Sequence, residues 1–309
     1  MSTERMSGPS PVDEDLVRRL VAGQFPRWAG LAVERFASGG TVNAVYRLGA
    51  DMAVRLPLAA GGAGDVALER EWLPRLAALL ATPIPEVLGA GEPAEGYPWP
   101  WSVYRWRAGA NPEAGALSEP VALAGDLAGF VASMRSITLP GAPAAHRGGP
   151  LSSLDADTRA AIGRLRRIPE EGVDCDAAAA VWEEALRAPD WDGPPVWLHA
   201  DLMPGNLLVE AGRLTSVIDF GCAGVGDPAC DLFPAWNLLP AGGAREVFRE
   251  ALGVDDATWI RGRARTLSQA LIALPHYRRT NPAMAGNARH VIGAVLGETG
   301  RNGVPASSR

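Results

Sequence analysis

The chain has 309 residues, of which 47% are hydrophobic and 21% charged, with a net charge of −6. That length can bury one large core or two smaller ones, while the acidic balance lacks the basic footprint of a nucleic-acid binder. No apolar run approaches the roughly 20 residues of a membrane span, and the opening MSTERMSGPSPVDED is polar, so a cytoplasmic protein with no nucleic-acid or membrane partner is expected. Cys175, Cys222 and Cys230 form no Cys-x-x-Cys pair; they predict neither a disulfide framework nor a zinc site and read as small buried residues. All 29 basic residues are Arg.

In chain order, residues 12–25 place Val12, Leu16, Leu20 and Val21 at helical spacing behind Asp13, Glu14 and Asp15, acids that favour a helix start. Residues 31–37, 43–48 and 52–56 read as three short strands of an antiparallel sheet. The first turn between them contains Ser38, Gly39, Gly40 and Thr41. Two glycines there let backbone approach a phosphate, although the same pair also reads as a plain hairpin. Residues 66–80 form a helix carrying Glu69 and Glu71, interrupted or kinked at Pro74. Two strands follow, at 86–91 and 99–106. The aromatic cluster near Tyr104 and Trp106 reads equally as core or as part of a connection. From residue 117 the period becomes 3.6, with helices expected at 117–137, 154–168, 177–187, 244–251, 255–274 and 283–296.

The densest chemistry runs from His199 to Gly221. Asp201 is followed five residues later by Asn206, and thirteen residues after that by Asp219-Phe220-Gly221. Between them, Leu207 to Val209 and Leu214 to Ile218 flank a Glu-Ala-Gly-Arg turn, a hairpin that would bring Asn206 and Asp219 together. Phosphoryl transfer from a nucleotide needs divalent metal on the phosphates and a carboxylate that accepts the proton of the attacking hydroxyl. Asp201 suits the base. Asn206 and Asp219 suit Mg²⁺, a hard cation that takes one or two protein oxygens and fills its other positions with water and phosphate.

His-x-Asp with Asn at five and Asp-Phe-Gly is the paired signature of the kinase catalytic and metal loops. The Pro204-Gly205-Asn206 sequence and the later Asp227-Pro228-Ala229-Cys230-Asp231-Leu232 make the chain resemble the aminoglycoside phosphotransferase family over about residues 31 to 300. The resemblance implies an α+β, two-lobed protein-kinase-like fold: a nucleotide-binding lobe with an antiparallel sheet at 1–106, and a mainly helical catalytic and acceptor-binding lobe at 107–309. It implies transfer of the terminal phosphoryl of ATP or GTP, with Mg²⁺, to a hydroxyl of an antibiotic or metabolite. Ser38, Gly39, Gly40 and Thr41 then cover the phosphates. Arg55 of Ala53-Val54-Arg55 stands where kinases carry a Lys on the phosphates, and Glu71, the second acid of Glu-Arg-Glu, pairs with it, leaving Glu69 an exposed helix acid. The main chain around Arg105 and Arg107 is placed against the base, His199 and Asp231 brace the loop, and Asp227 is a turn residue. Only five residues separate Gly221 from Asp227, with no Ser, Thr or Tyr as far as Cys230, which excludes a peptide platform. Other readings are a nucleotide-binding pseudoenzyme on the same fold and a metabolite kinase of the fructosamine, choline or homoserine type.

Two charge patterns bear on the acceptor. Residues 170–192 hold eight acids against Arg187, whereas residues 237–309 hold five acids against ten Arg. The second pattern predicts a neutral or weakly charged acceptor over a polycation, because an ammonium group leaving water needs an opposite charge to offset its desolvation.

Overall fold

The computed structural model of the chain describes residues 12–37 and 42–302. They form two compact units: one runs up to Gly109 and takes back Ser216–Gly221, and the other comprises Ala110–Thr215 and the chain from Cys222 onward.

The first unit opens with α1 (Glu14–Gln24), whose N-cap Asp13 accepts the Leu16 N–H at 2.8 Å. Five antiparallel strands follow: β1 (Val33–Phe36), β2 (Asn43–Leu48), β3 (Met52–Pro57), and, after helix α2 (Gly61–Ala77), β4 (Val87–Gly91) and β5 (Trp101–Arg105). Their spatial order is β1-β2-β3-β5-β4. Alternation along β2 sends Ala44, Tyr46 and Leu48 into a core with Leu16, Val17, Leu20 and Val21 of α1 and Val54, Leu56, Trp101 and Val103 of the sheet. Each buried Val or Leu among them contributes roughly 1.5–3 kcal/mol. Asn43, Val45 and Arg47 therefore point to the opposite face, in register with Pro57, Arg55 and Ala53 of β3 respectively. The α2 helix starts five residues earlier than its apolar period suggests, inside Gly-Gly-Ala-Gly, and continues three residues beyond Pro74.

The second unit is mainly helical: α3 (Pro120–Ser136), α4 (Asp155–Leu165) and α5 (Cys175–Leu186) precede the short strand β6 (Val196–Leu198). Strand β7 (Leu207–Glu210) pairs with β8 (Arg213–Val217), and β9 (Gly224–Gly226) pairs antiparallel with β6. Along β8 the chain leaves this unit at Thr215, and after Gly221 it re-enters it. The one-turn α6 (Pro234–Asn237), then α7 (Gly243–Leu252), α8 (Asp256–Tyr277) and α9 (Pro282–Asn302) complete the order. The α8 helix is buried for most of its length, polar residues included. Its Arg261 and Arg265 meet Asp227 at 2.9 and 3.2 Å. No helix among the described residues is long and apolar enough to cross a membrane. Cys175 and Cys230 are buried, Cys222 is half-buried, and all three are free thiols.

Candidate active site

In the first unit a polar cluster forms around Arg55 on the sheet face away from the core. Nη1 of Arg55 donates to both oxygens of Glu69, at 2.9 and 3.0 Å, and Nη2 donates to Asp219 Oδ1 at 2.6 Å. With the Asn43 amide oxygen turned toward the guanidinium, it accepts from Nη2 and Nε at 2.8 and 2.9 Å. Every nitrogen of the Arg55 head thus has a protein acceptor. Glu69, 1% exposed, also accepts from the Tyr104 hydroxyl and from the Phe220 N–H at 2.9 Å. Burial pushes its carboxyl up, while Arg55 pulls it down. Burial disfavours the charge on Arg55, yet Glu69 and Asp219 hold the guanidinium above its ordinary value.

The Asp-Phe-Gly turn is built into the same cluster. Ser216 Oγ and the Val217 N–H both donate to the Pro83 carbonyl, fixing the approach. Asp219 then adopts φ 66°, a left-handed conformation that Asp tolerates better than most residues. Gly221 follows because a Cβ there would lie 2.8 Å from Asp65 Cβ. The outcome is an Asp219 carboxylate that is 40% exposed, anchored at Oδ1 by Arg55.

In the second unit the loop after β6 presents Asp201. Asp231, fully buried, accepts the N–H groups of His199 and Ala200 at 2.8 and 2.7 Å. Between those bonds Ala200 is held at φ 64°, a strained conformation for a residue with a Cβ and one that persists only where surroundings enforce it. His199 Nδ1 accepts the Asp201 N–H at 3.2 Å, so the imidazole is a brace for the loop. Asn206 Nδ2 donates to Asp201 Oδ2 at 3.0 Å and to the Asp201 carbonyl at 2.8 Å. With its nitrogen committed, Asn206 offers Oδ1 as the atom for a cation. Asn111 donates to the carbonyls of Gly205 and Leu207, and Asn237 to that of Leu202. Arg147, from the loop between α3 and α4, donates to Asp201 Oδ1 at 2.7 Å.

Several expectations change against this geometry. Arg55 pairs with Glu69 and not with Glu71, because residues two apart on a helix face opposite sides. Glu69 falls in the buried row with Val66, Leu73 and Leu76, whereas Glu71 is 55% exposed and lies 3.6 Å from Arg75 on its own helix. The apolar row around Glu69 was a usable signal. The amide of Arg105 is committed to the Glu86 carbonyl and that of Trp106 to Asp51, while the Arg105 side chain pairs with Glu86 and that of Arg107 with the Ile84 carbonyl. An adenine contact through the Arg105 N–H is thereby lost, and Tyr104 is a brace for Glu69 and not a connection residue. Asp227 is more than a turn residue. Burial would push its carboxyl up, but the Arg261 hydrogen bond, the Ala229 N–H and the Arg265 charge hold it below the usual carboxylate value. Ser38, Gly39, Gly40 and Thr41 lie outside the described residues. Nothing in the sequence pointed to Asn43, Asn111, Arg147 or Asn237, whose partners are 12 to 96 residues away.

The charge count omits partners from elsewhere in the chain. Of the ten Arg beyond residue 236, Arg245, Arg249, Arg261, Arg263, Arg265, Arg278 and Arg289 are paired with Glu298, Asp256, Asp227, Glu184 and Glu171. Three of those acids, Asp227, Glu184 and Glu171, lie outside the C-terminal segment, so part of its positive charge is offset from elsewhere in the chain.

The model of the phosphotransferase enzyme family, APH, matches residues 33–267. The chain belongs to this family. An aminoglycoside 3'-phosphotransferase of Escherichia coli is 39% identical over 62 residues, which span 20% of this chain and about a quarter (23%) of that relative. Among solved structures, the GDP and kanamycin complex of APH(2")-IIia superposes with a TM-score of 0.73 at 19% identity, covering 93% of this chain and 99% of that one. The macrolide 2'-phosphotransferase MphH of Brachybacterium faecium gives 0.61 at 21% identity, covering 91% and 98%. At such identities these two establish the shared fold, the α+β kinase-like fold with an antiparallel-sheet N-terminal region and a helical C-terminal part.

Proposed function

We propose that this phosphotransferase-family chain moves the terminal phosphoryl group of ATP or GTP to a hydroxyl of a small molecule. The observation that supports this most is the Asp201 carboxylate, held at Oδ1 by Arg147 and at Oδ2 by Asn206 on a loop whose backbone Asp231 clamps. In the proposed step the acceptor oxygen attacks the γ-phosphorus, the bond to the β–γ bridging oxygen breaks, and the nucleoside diphosphate leaves. The hydroxyl proton passes to Asp201. Mg²⁺, when bound, would neutralise charge developing on the phosphate oxygens. Asp219 and Asn206 fit that ion: one is an exposed carboxylate, and the other an amide whose nitrogen is already spent. Among the described residues no three acids, His or Cys cluster as a metal cage; Mg²⁺ needs only one or two protein oxygens beside phosphate and water. Arg55, fixed by Glu69 and Asn43, orients Asp219 and supplies a permanent positive charge for the phosphates, and the backbone near Arg107 is the remaining candidate for the nucleobase.

The acceptors named for similar structures are kanamycin, gentamicin, streptomycin and macrolides, and these with neutral polyols form the screen. Acceptor-dependent release of ADP or GDP, abolished in Asp201→Ala, is the expected result. Tight Mg-nucleotide binding with no acceptor-dependent release from any compound would favour a nucleotide-binding pseudoenzyme instead.

A further inference from the structure

Arg147 stands beside the proposed base, and its placement is enforced. It sits on the loop between α3 and α4, whose backbone is bonded at successive positions: the Ala145 N–H to the Val225 carbonyl, the His146 N–H to Cys222, the Gly148 N–H to Ala145, and the Gly148 carbonyl to the Asp227 N–H. Arg265, 2% exposed, donates to the carbonyls of Arg147 and Gly149 while paired with Asp227. Gly148 packs so closely that a Cβ on it would lie 3.1 Å from Gly226 Cα. Little entropy is left to lose when this loop orders a ligand.

The guanidinium itself is used at one end. Its contacts to Asp201 Oδ1 at 2.7 Å, the Ala200 carbonyl at 3.1 Å and Cys222 Sγ at 3.9 Å all run through Nη1. Its side chain is 31% exposed and Asp201 is 23% exposed. A purely structural Arg–carboxylate pair favours the two-pronged fork; here the bond is end-on, which leaves the Nη2 edge for whatever Asp201 receives. A fixed cation at that point attracts oxygen lone pairs and repels an ammonium group arriving at the same place.

We propose that Arg147 is a specificity-determining residue: it selects acceptors whose reacting hydroxyl is flanked by an oxygen function and not by an ammonium group. This rests on the reading of Asp201 as the base of a small-molecule kinase. It replaces the charge count of the C-terminal helices with one positioned charge, and it arrives at a related acceptor class for a different reason.

The test compares kanamycin with per-N-acetylated kanamycin, which keeps the hydroxyls and loses the ammonium charges. Wild type, Arg147→Gln and Arg147→Lys are assayed for kcat and KM with both; if neither form reacts, both are measured as competitors of the acceptor found in the screen. In wild type the acetylated form is expected to have the higher kcat/KM, or the lower inhibition constant, by about 10- to 100-fold. Arg147→Gln should bring that ratio toward one, chiefly through KM for the acceptor, and Arg147→Lys should preserve its direction. Unchanged thermal melts and nucleotide KM in both variants would separate this from misfolding. A wild-type preference for kanamycin, or an equal preference in wild type and Arg147→Gln, overturns the specificity role. Absence of transfer to every acceptor in wild type overturns the kinase reading, and this inference with it.

Discussion

Glu69→Gln is the sharpest perturbation of the phosphate-side cluster, because Gln keeps the shape and removes the charge. Glu69 is 1% exposed and receives four hydrogen bonds: two from Arg55, one from the Tyr104 hydroxyl and one from the Phe220 N–H. Gln retains one acceptor oxygen and turns an NH₂ group toward donors. Removing one partner of a buried ion pair costs about 3–5 kcal/mol, and a buried donor left unpaired adds about 1–3 kcal/mol. Glu71→Gln should lie within about 1 kcal/mol of wild type, since its Arg75 contact is 3.6 Å long and half-exposed at both ends. Urea unfolding followed by tryptophan fluorescence reads the difference; at a slope of about 2 kcal/mol/M the midpoint of Glu69→Gln should fall by more than about 1 M. Mg-nucleotide affinity should fall as well, because Arg55 and Asp219 lose their anchor. Equal midpoints for the two variants, or a larger loss in Glu71→Gln, would refute the assignment of Glu69 as the partner of Arg55.

Asp201→Ala should lower kcat by about 10²–10⁴-fold with nucleotide affinity unchanged, and Asp219→Ala should weaken Mg-nucleotide binding; near wild-type turnover of Asp201→Ala would show that another group is the base. Asp231→Ala leaves the buried N–H groups of His199 and Ala200 without acceptors, so about 2–6 kcal/mol of stability should go, with turnover falling alongside as Ala200 relaxes from φ 64°. Acid should act through Asp227, whose carboxyl is held below its usual value. Its contribution is full above the unfolded value near 3.8 and disappears as pH falls through the depressed folded value, so Asp227→Asn should flatten the fall in stability below about pH 4 in unfolding titrations. Gly91→Ala places a Cβ 2.1 Å from Cε2 of the buried Trp101 and should cost about 1–3 kcal/mol or more, visible as a lowered melting temperature.

The local pattern of the chain determined most elements, and for a physical reason: strand alternation and helical period are properties of consecutive residues. Residues 43–48 and 52–56 and the hairpin around Gly212 were legible as short apolar, β-favouring runs bounded by turn residues. Asp201, Asn206 and Asp219 were legible because their spacing is fixed along one loop and hairpin. The start of α2 in a glycine run was not, since packing and not propensity sustains it; Gly62 sits against Pro57, where a Cβ would come within 3.0 Å. The choice between Glu69 and Glu71 was half legible: helical period separates their faces, but only the sheet beneath decides which face is buried. Arg147, Asn43 and Asn237 were invisible, because each acts through side-chain contacts to residues distant in sequence, and a single polar residue carries no period. Charge totals miss such partners for the same reason. Ten Arg near the C-terminus predict a positive surface only if their partners are also local, and the tertiary structure gave Arg261, Arg263 and Arg289 the acids Asp227, Glu184 and Glu171 from elsewhere in the chain. Coulomb attraction depends on distance in space, which sequence order does not record.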